Sequence, residues 1–238
     1  MSGVTVQKEV WIIILETILI AIAVIRLSHR IDRIDPLQRP KGILLPVVLG
    51  VRKIYGDVKY YVGEGNARKL GPYILTISVY IFFSNIISLF GLSSPTANYS
   101  VTLTLAILTW ILIQVTEFKY NGVGGWFHAF IEPFPVLLPM NLIEKFTLIL
   151  SMSVRLFGNL TCGSIMMELI YTFCQTMSNK IAGLLGASGP VFNFLAPVLT
   201  PLLHAYFDCF AAFVQTLVFV TLTMALIGND VPEEIKKV

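Results

Sequence analysis

From Pro72 to Thr116 the chain carries no charged side chain. At a rise of about 1.5 Å per residue this stretch is long enough for two bilayer crossings, and the turn-forming run GLSSPTANYS breaks it near the middle. A helical hairpin in lipid is expected, because hydrocarbon offers the backbone no outside hydrogen-bond partner. The rest of the chain follows suit: of 238 residues 55% are hydrophobic and 13% charged, with mean hydropathy +0.77. No segment remains that could build a separate water-soluble core, so residues 1–238 read as a single membrane domain.

Residues 1–41 hold a first span, from about Trp11 to Leu27, followed by RLSHRIDRIDPLQRPK with Arg26, Arg30, Arg33, Arg39 and Lys41. The positive-inside rule puts that end in the cytoplasm and the N-terminus outside. With no small-residue cleavage site after the apolar run, the helix is expected to be retained. Residues 42–69 mix a short apolar stretch with Arg52, Lys53, Lys59, Arg68 and Lys69, which suits the membrane interface. The hairpin occupies 70–118, and 119–141, with its glycines, prolines, Trp126 and Phe127, reads as a second interfacial segment. Residues 142–228 contain two apolar runs, 142–177 and 190–227, each longer than the roughly 20 residues that cross perpendicularly. Both are expected to tilt strongly as a hairpin, leaving 229–238 as a cytoplasmic tail. The expected fold is an all-α integral membrane protein with about five transmembrane helices plus interfacial amphipathic segments.

The formal net charge is only +3, and the bases cluster near the ends of apolar runs, which excludes a nucleic-acid role. Cys162, Cys174 and Cys209 lie in apolar runs without CxxC spacing, so no metal site or disulfide is expected. There is no GxxxxGK[ST] run, and no nucleotide or other cofactor is expected on this chain.

Charge inside the membrane is then the informative signal, since each such group costs about 2.5–3.5 kcal/mol to insert. The candidates are Glu16, Arg155, Glu168 and Asp208, with His204 and the polar Asn85, Gln114, Asn159 and Gln215. Arg155 cannot escape by losing its proton, so it needs an anionic partner or a wet cavity. A static salt bridge to Glu168 or Asp208 is one reading. In a helix, Glu168 would lie about 140° round and about 20 Å along from Arg155, so those two do not share a face. Arg155 instead aligns with Asn159 and Gly163, a face suited to a neighbouring helix that brings a carboxylate. His204, Asp208 and Gln215, at spacings of four and seven, would form a polar stripe about 16 Å long. Ser164 and Glu168 form a shorter one. Glu16 stands alone on the first span, while Glu144 and Lys145 mark the start of the long helix, where a solvated helix end is the simpler reading.

These residues carry a resemblance. SVRLFGNL, followed by Gly163, resembles the signature of subunit a of the F-type ATP synthase, with support from SNIISLFGLSSPTANYSVTLTLA and from AAFVQTLVFVTLTMAL. The first 40 residues match only in pattern. The resemblance implies a stator subunit beside a rotating c-ring of small hairpin subunits, each with a membrane-embedded carboxylate. Peripheral stalk subunit b, the remaining synthase subunits and membrane lipids are the other implied partners, with the bacterial plasma membrane as the setting and a plastid thylakoid as the alternative. Arg155 matches the essential arginine that attracts the ring carboxylate and blocks leakage between two offset half-channels for protons or sodium ions. Asn159 and Gln215 match flanking polar residues, with Gln215 near the guanidinium, and Gly158 and Gly163 match helix-packing positions. Asp208 falls where many members have histidine or glutamate.

Ser164 departs from the pattern, which commonly has glutamate or histidine there. An acid, Glu168, follows one turn later and His204 precedes Asp208 by one turn, so the outer relay is expected to have shifted outward. The plainer alternative is that His204 only hydrogen-bonds inside the protein. A secondary transporter is the rival class; it would normally show inverted repeats and broken helices, neither of which is legible here.

Overall fold

In the computed structural model, which describes residues 8–31, 42, 44–90, 94–131, 134–184, 193–232 and 236, every regular element is helical. The helices are α1 (Lys8–Ile31), α2 (Leu44–Val62), α3 (Glu64–Ile86), α4 (Tyr99–Ile131), α5 (Leu138–Leu184), α6 (Ala196–His204) and α7 (Ala211–Asn229). A π turn, Ala205–Phe210, joins α6 to α7. Among the described residues five stretches are long and apolar enough to cross a membrane: Val10–Ile31, Glu64–Leu89, Tyr99–Ile131, Pro135–Leu184 and Ala196–Asn229. The all-α membrane architecture expected from the sequence is the one observed. The linkers 32–41 and 185–192 lie outside the described residues.

Helix limits run past the apolar runs. The α2–α3 corner turns at Gly63, whose φ of 82° favours a residue without Cβ, and Lys59 bridges it to Glu64 at 2.7 Å. Farther along, α4 is not one straight rod. Gly122, with φ 67° and ψ 174°, breaks it. Trp126 Nε1 then donates to Gln114 Oε1 at 2.9 Å, although twelve residues of straight helix would hold them about 18 Å apart. Residues 123–131 therefore fold back on the first part of α4, and Trp126 stacks on Phe118. The segment read as interfacial is helical up to Ile131 and belongs to this fold-back, and α4 as a whole is no simple crossing.

The core joins Val58 of α2, Ala67, Ile74, Ile77 and Ile81 of α3, Ala106 of α4, Met152 and Leu156 of α5, and Phe219, Val220 and Met224 of α7. Small hydroxylated residues let the backbones approach. Thr102, Thr109, Ser153 and Thr223 are fully buried, and each returns its hydroxyl to a carbonyl three or four residues earlier in its own helix. At Gly228 a Cβ would stand 2.7 Å from the Tyr61 carbonyl oxygen, so α7 meets α2 backbone to backbone.

By contrast, α1 and α5 are nearly bare. Ile18, Leu19 and Ile25 on α1, and Ile143, Leu169 and Phe173 on α5, are exposed. Such surfaces belong in lipid or against another protein. With 47 residues, α5 is about 70 Å long, more than twice a hydrocarbon core of about 30 Å.

Candidate functional site

Because α5 is unbroken from Leu138 to Leu184, Arg155, Asn159 and Gly163 do share a face. Met152 and Leu156 are buried against α7, which leaves the neighbouring Arg155 on the exposed side. Its guanidinium forms no hydrogen bond or ion pair with another described residue. Asn159 is half-buried, a Cβ on Gly158 would meet open space, and one on Gly163 would touch Phe207 of the π turn at 4.0 Å.

α5 and the last helix run antiparallel. Leu148 packs with Ile227 and Val231, Met152 and Leu156 with Phe219, Val220 and Met224, and Tyr171 with His204. That progression sets Gln215 at the level of Asn159, about one turn from Arg155. Gln215 is 7% exposed and its Nε2 has no hydrogen-bond partner.

Beyond Arg155 on α5, three side chains form a line. His204 Nδ1 lies 2.5 Å from Asp208 Oδ2, and His204 Nε2 lies 2.9 Å from Tyr171 Oη. With Asp208 ionised the carboxylate can only accept, so Nδ1 donates to it; in a neutral ring Nε2 then accepts from the tyrosine hydroxyl, and in a protonated ring it donates to the tyrosine oxygen. Asn193 fastens this end: its Oδ1 accepts from the Ala196 amide and its Nδ2 donates to the Tyr171 carbonyl. Asp208 sits inside the π turn, where the Ala211 amide donates to the Tyr206 carbonyl five residues back. The extra residue in that turn breaks the α-helical register between Asp208 and Gln215, so the stripe expected over His204, Asp208 and Gln215 is not continuous. The structure thus joins His204 and Asp208 and does not bring Gln215 into their line.

Glu168 is exposed, one turn before Tyr171, and Ser164 spends its proton on the Thr161 carbonyl at 2.9 Å. Neither is bonded to His204. Tyr171 was missed from the sequence, yet the spacing 164, 168, 171 puts it on the same helical face. Neither Glu168 nor Asp208 pairs with Arg155, so no static internal bridge to them forms in this structure.

Before Arg155 lies a second cluster. Lys145 reaches both carboxylate oxygens of Glu117 on α4, at 2.6 and 2.7 Å, under the rings of Trp126 and Phe130. Only 8% of the Glu117 side chain is exposed, so Lys145 is half of a shielded ion pair and not a solvated helix end. Asp230, just past α7, lines the adjoining cavity with Glu117, Asn141 and Glu144.

A third polar group binds α1. Glu16 is 2% exposed and accepts a 2.6 Å hydrogen bond from Ser84 Oγ. Ser94 donates to the Ser84 carbonyl and Thr96 to Asn85 Oδ1, so a buried chain of hydroxyls ties α1 to the hairpin tip. Cys162 and Cys209 are exposed free thiols and Cys174 a buried one.

A sequence profile of the ATP synthase A chain family matches residues 10–228. The sodium ion specific ATP synthase subunit a of Propionigenium modestum is 32% identical over 75% of this chain and 61% of its own length. The ATP synthase subunit a of Mycoplasmoides gallisepticum is 30% identical over 82% of this chain and 68% of its own, and that of Oceanobacillus iheyensis 29% identical over 83% and 80%. The chain therefore matches about three fifths of the length of the first relative and more of the others. With a profile match that takes in α5, its arginine and the last helix, the chain belongs to the ATP synthase A chain family.

Proposed function

We propose that this chain is the stator subunit that passes ions across the membrane in an F-type ATP synthase. The observation that carries this reading is Arg155: a permanent cation on the exposed face of an apolar helix, without a partner among the described residues, and flanked by a polar cluster on either side. A cation so placed fits a carboxylate delivered by another protein, and a ring of small hairpin subunits supplies one repeatedly. Attraction to Arg155 favours the ionised carboxylate, and the fixed charge repels any cation that would pass directly between the two sides.

Ions enter from the outer side through Tyr171, His204 and Asp208, load the ring carboxylate, and leave on the other side after the ring has turned. Asn159 and Gln215 accept from the guanidinium once the ring carboxylate engages it; Gly158 and Gly163 let neighbouring helices come close. Glu168 and Ser164 lie on the approach to Tyr171. Moving one charge through 100 mV yields about 2.3 kcal/mol, so several ions are needed per ATP and rotation adds up their work. The bare face of α5 is where the ring lies, subunit b and the rest of the stator hold the other side, and the setting is a bacterial plasma membrane with the N-terminus outside and the C-terminus in the cytoplasm.

The test is ion-driven ATP synthesis and passive leak in vesicles carrying the assembled complex with Arg155→Ala. Lost synthesis with raised leak is expected. Normal synthesis from an intact complex returns Arg155 to a structural role and overturns the reading.

A further inference from the structure

The relay of Tyr171, His204 and Asp208 lies on one side of Arg155, and the cluster around Lys145 on the other. Along α5, Lys145 precedes Arg155 by about 15 Å, whereas Tyr171 follows it by about 24 Å. Between α4, α5 and the end of α7, a cavity of about 360 Å³ opens beside Glu117, Asn141, Glu144, Lys145 and Asp230. We infer that this cavity is the second point of ion exchange, with the Asp230 carboxyl as the group that trades protons with its water and the Glu117–Lys145 pair as a fixed electrostatic frame. This rests on the reading of the chain as an ion-carrying stator and adds the residue that works at its other mouth.

Three observations support it. The cavity carries polar side chains beside Ile113, Leu148 and Leu226 and is large enough for several waters, at about 30 Å³ each. Glu117 is already neutralised by Lys145 at 2.6 and 2.7 Å, which leaves Asp230 as a half-buried carboxyl without an ion pair to another described residue. Burial, and then the negative charge of Glu117, push the Asp230 carboxyl up from 3.8 to about 6, partly offset by Lys145. A group at that value both takes and gives up protons near neutral pH. The other titratable groups around it are Tyr120 on α4, Glu144 on α5, Lys59, Tyr60 and Tyr61 on α2, and Lys236, which line the same cavity or the one beside it or pack there.

The transfer is a simple exchange. Asp230 Oδ accepts a proton from a cavity hydronium and becomes neutral, then returns it to the next water, with no other bond made or broken.

The experiment uses vesicles of the assembled complex with the Asp230 side facing the bath. ATP-driven ion uptake, divided by ATP hydrolysis, is followed from pH 5 to 8, together with the infrared carboxyl stretch. The unsubstituted complex should show an inflection near pH 6 and a carboxyl band that titrates with it. Asp230→Asn should slow uptake several-fold at neutral pH, abolish the inflection and remove the band, with leak unchanged; Asp230→Glu should keep all three. Glu117→Gln removes the repulsion and frees Lys145, so the inflection should move below 6. Uptake and pH profile unaltered in Asp230→Asn would overturn the inference, whatever the fate of Glu117→Gln. Uptake that survives Arg155→Ala in the same vesicles would instead overturn the stator reading, so the two failures are distinct.

Discussion

The two clusters on either side of Arg155 hold polar groups in lipid by opposite means. Tyr171, His204 and Asp208 form a line of groups whose protons can be redistributed, and a third of the His204 side chain is open. Glu117 and Lys145 are locked against each other beneath two aromatic rings, with the glutamate almost closed off. The difference sets what each is chemically able to do. A line of weak acids and bases can pass a proton along, whereas a shielded ion pair of fixed charge can only hold helices together and set the potential for a neighbour such as Asp230.

The comparison breaks first at the charge between the clusters. Arg155→Ala should reduce ion-driven synthesis by about 100-fold, the rate equivalent of the ~3 kcal/mol scale of an intramembrane charge, as measured in vesicles. Glu117→Gln should come next: it strands Lys145 and should cost roughly 3 kcal/mol, seen as a lowered Tm of the complex in detergent. Tyr171→Phe, which removes one hydrogen bond worth about 1 kcal/mol, should slow synthesis about fivefold without changing Tm. If Tyr171→Phe instead lowered Tm as much as Glu117→Gln, the contrast between a conducting line and a structural pair would fail.

The smallest effect belongs to Asp230. Its folded-state value of about 6 lies above the ordinary 3.8, so between the two the folded chain binds more protons than the unfolded one. Stability contributed by this group is therefore present at low pH and falls as pH rises from about 4 to about 6. Discounted to about 1 kcal/mol because the carboxyl is only half-buried, the decline in Tm across that window should be about 2–4 °C, and Asp230→Asn should flatten it.

Much of this was legible in the sequence. Long uncharged runs force helices because lipid leaves the backbone no alternative, and hydropathy locates them. Arg155 was legible for the same reason: a charge that cannot neutralise stands out against apolar neighbours. What hydropathy does not report is direction. It could not show that α4 doubles back at Gly122, nor that a π turn separates Asp208 from Gln215, because both changes leave composition untouched. Tyr171 counted as one more aromatic until the fold set its hydroxyl against His204. Lys145 and Glu117 are 28 positions apart, and nothing local links them.

Glu16 and Ser84 are separated by 68 positions, and their hydrogen bond is one of the few contacts that α1 makes with the rest of the molecule. During synthesis α1 enters the membrane well before α3 exists, so its carboxyl arrives unmatched and costs about 2.5–3.5 kcal/mol until a partner comes. Ser84 and the hairpin tip end that interval. The glutamate is thus a latch that closes only once α3 is in place, and a helix made before α3 is held after it.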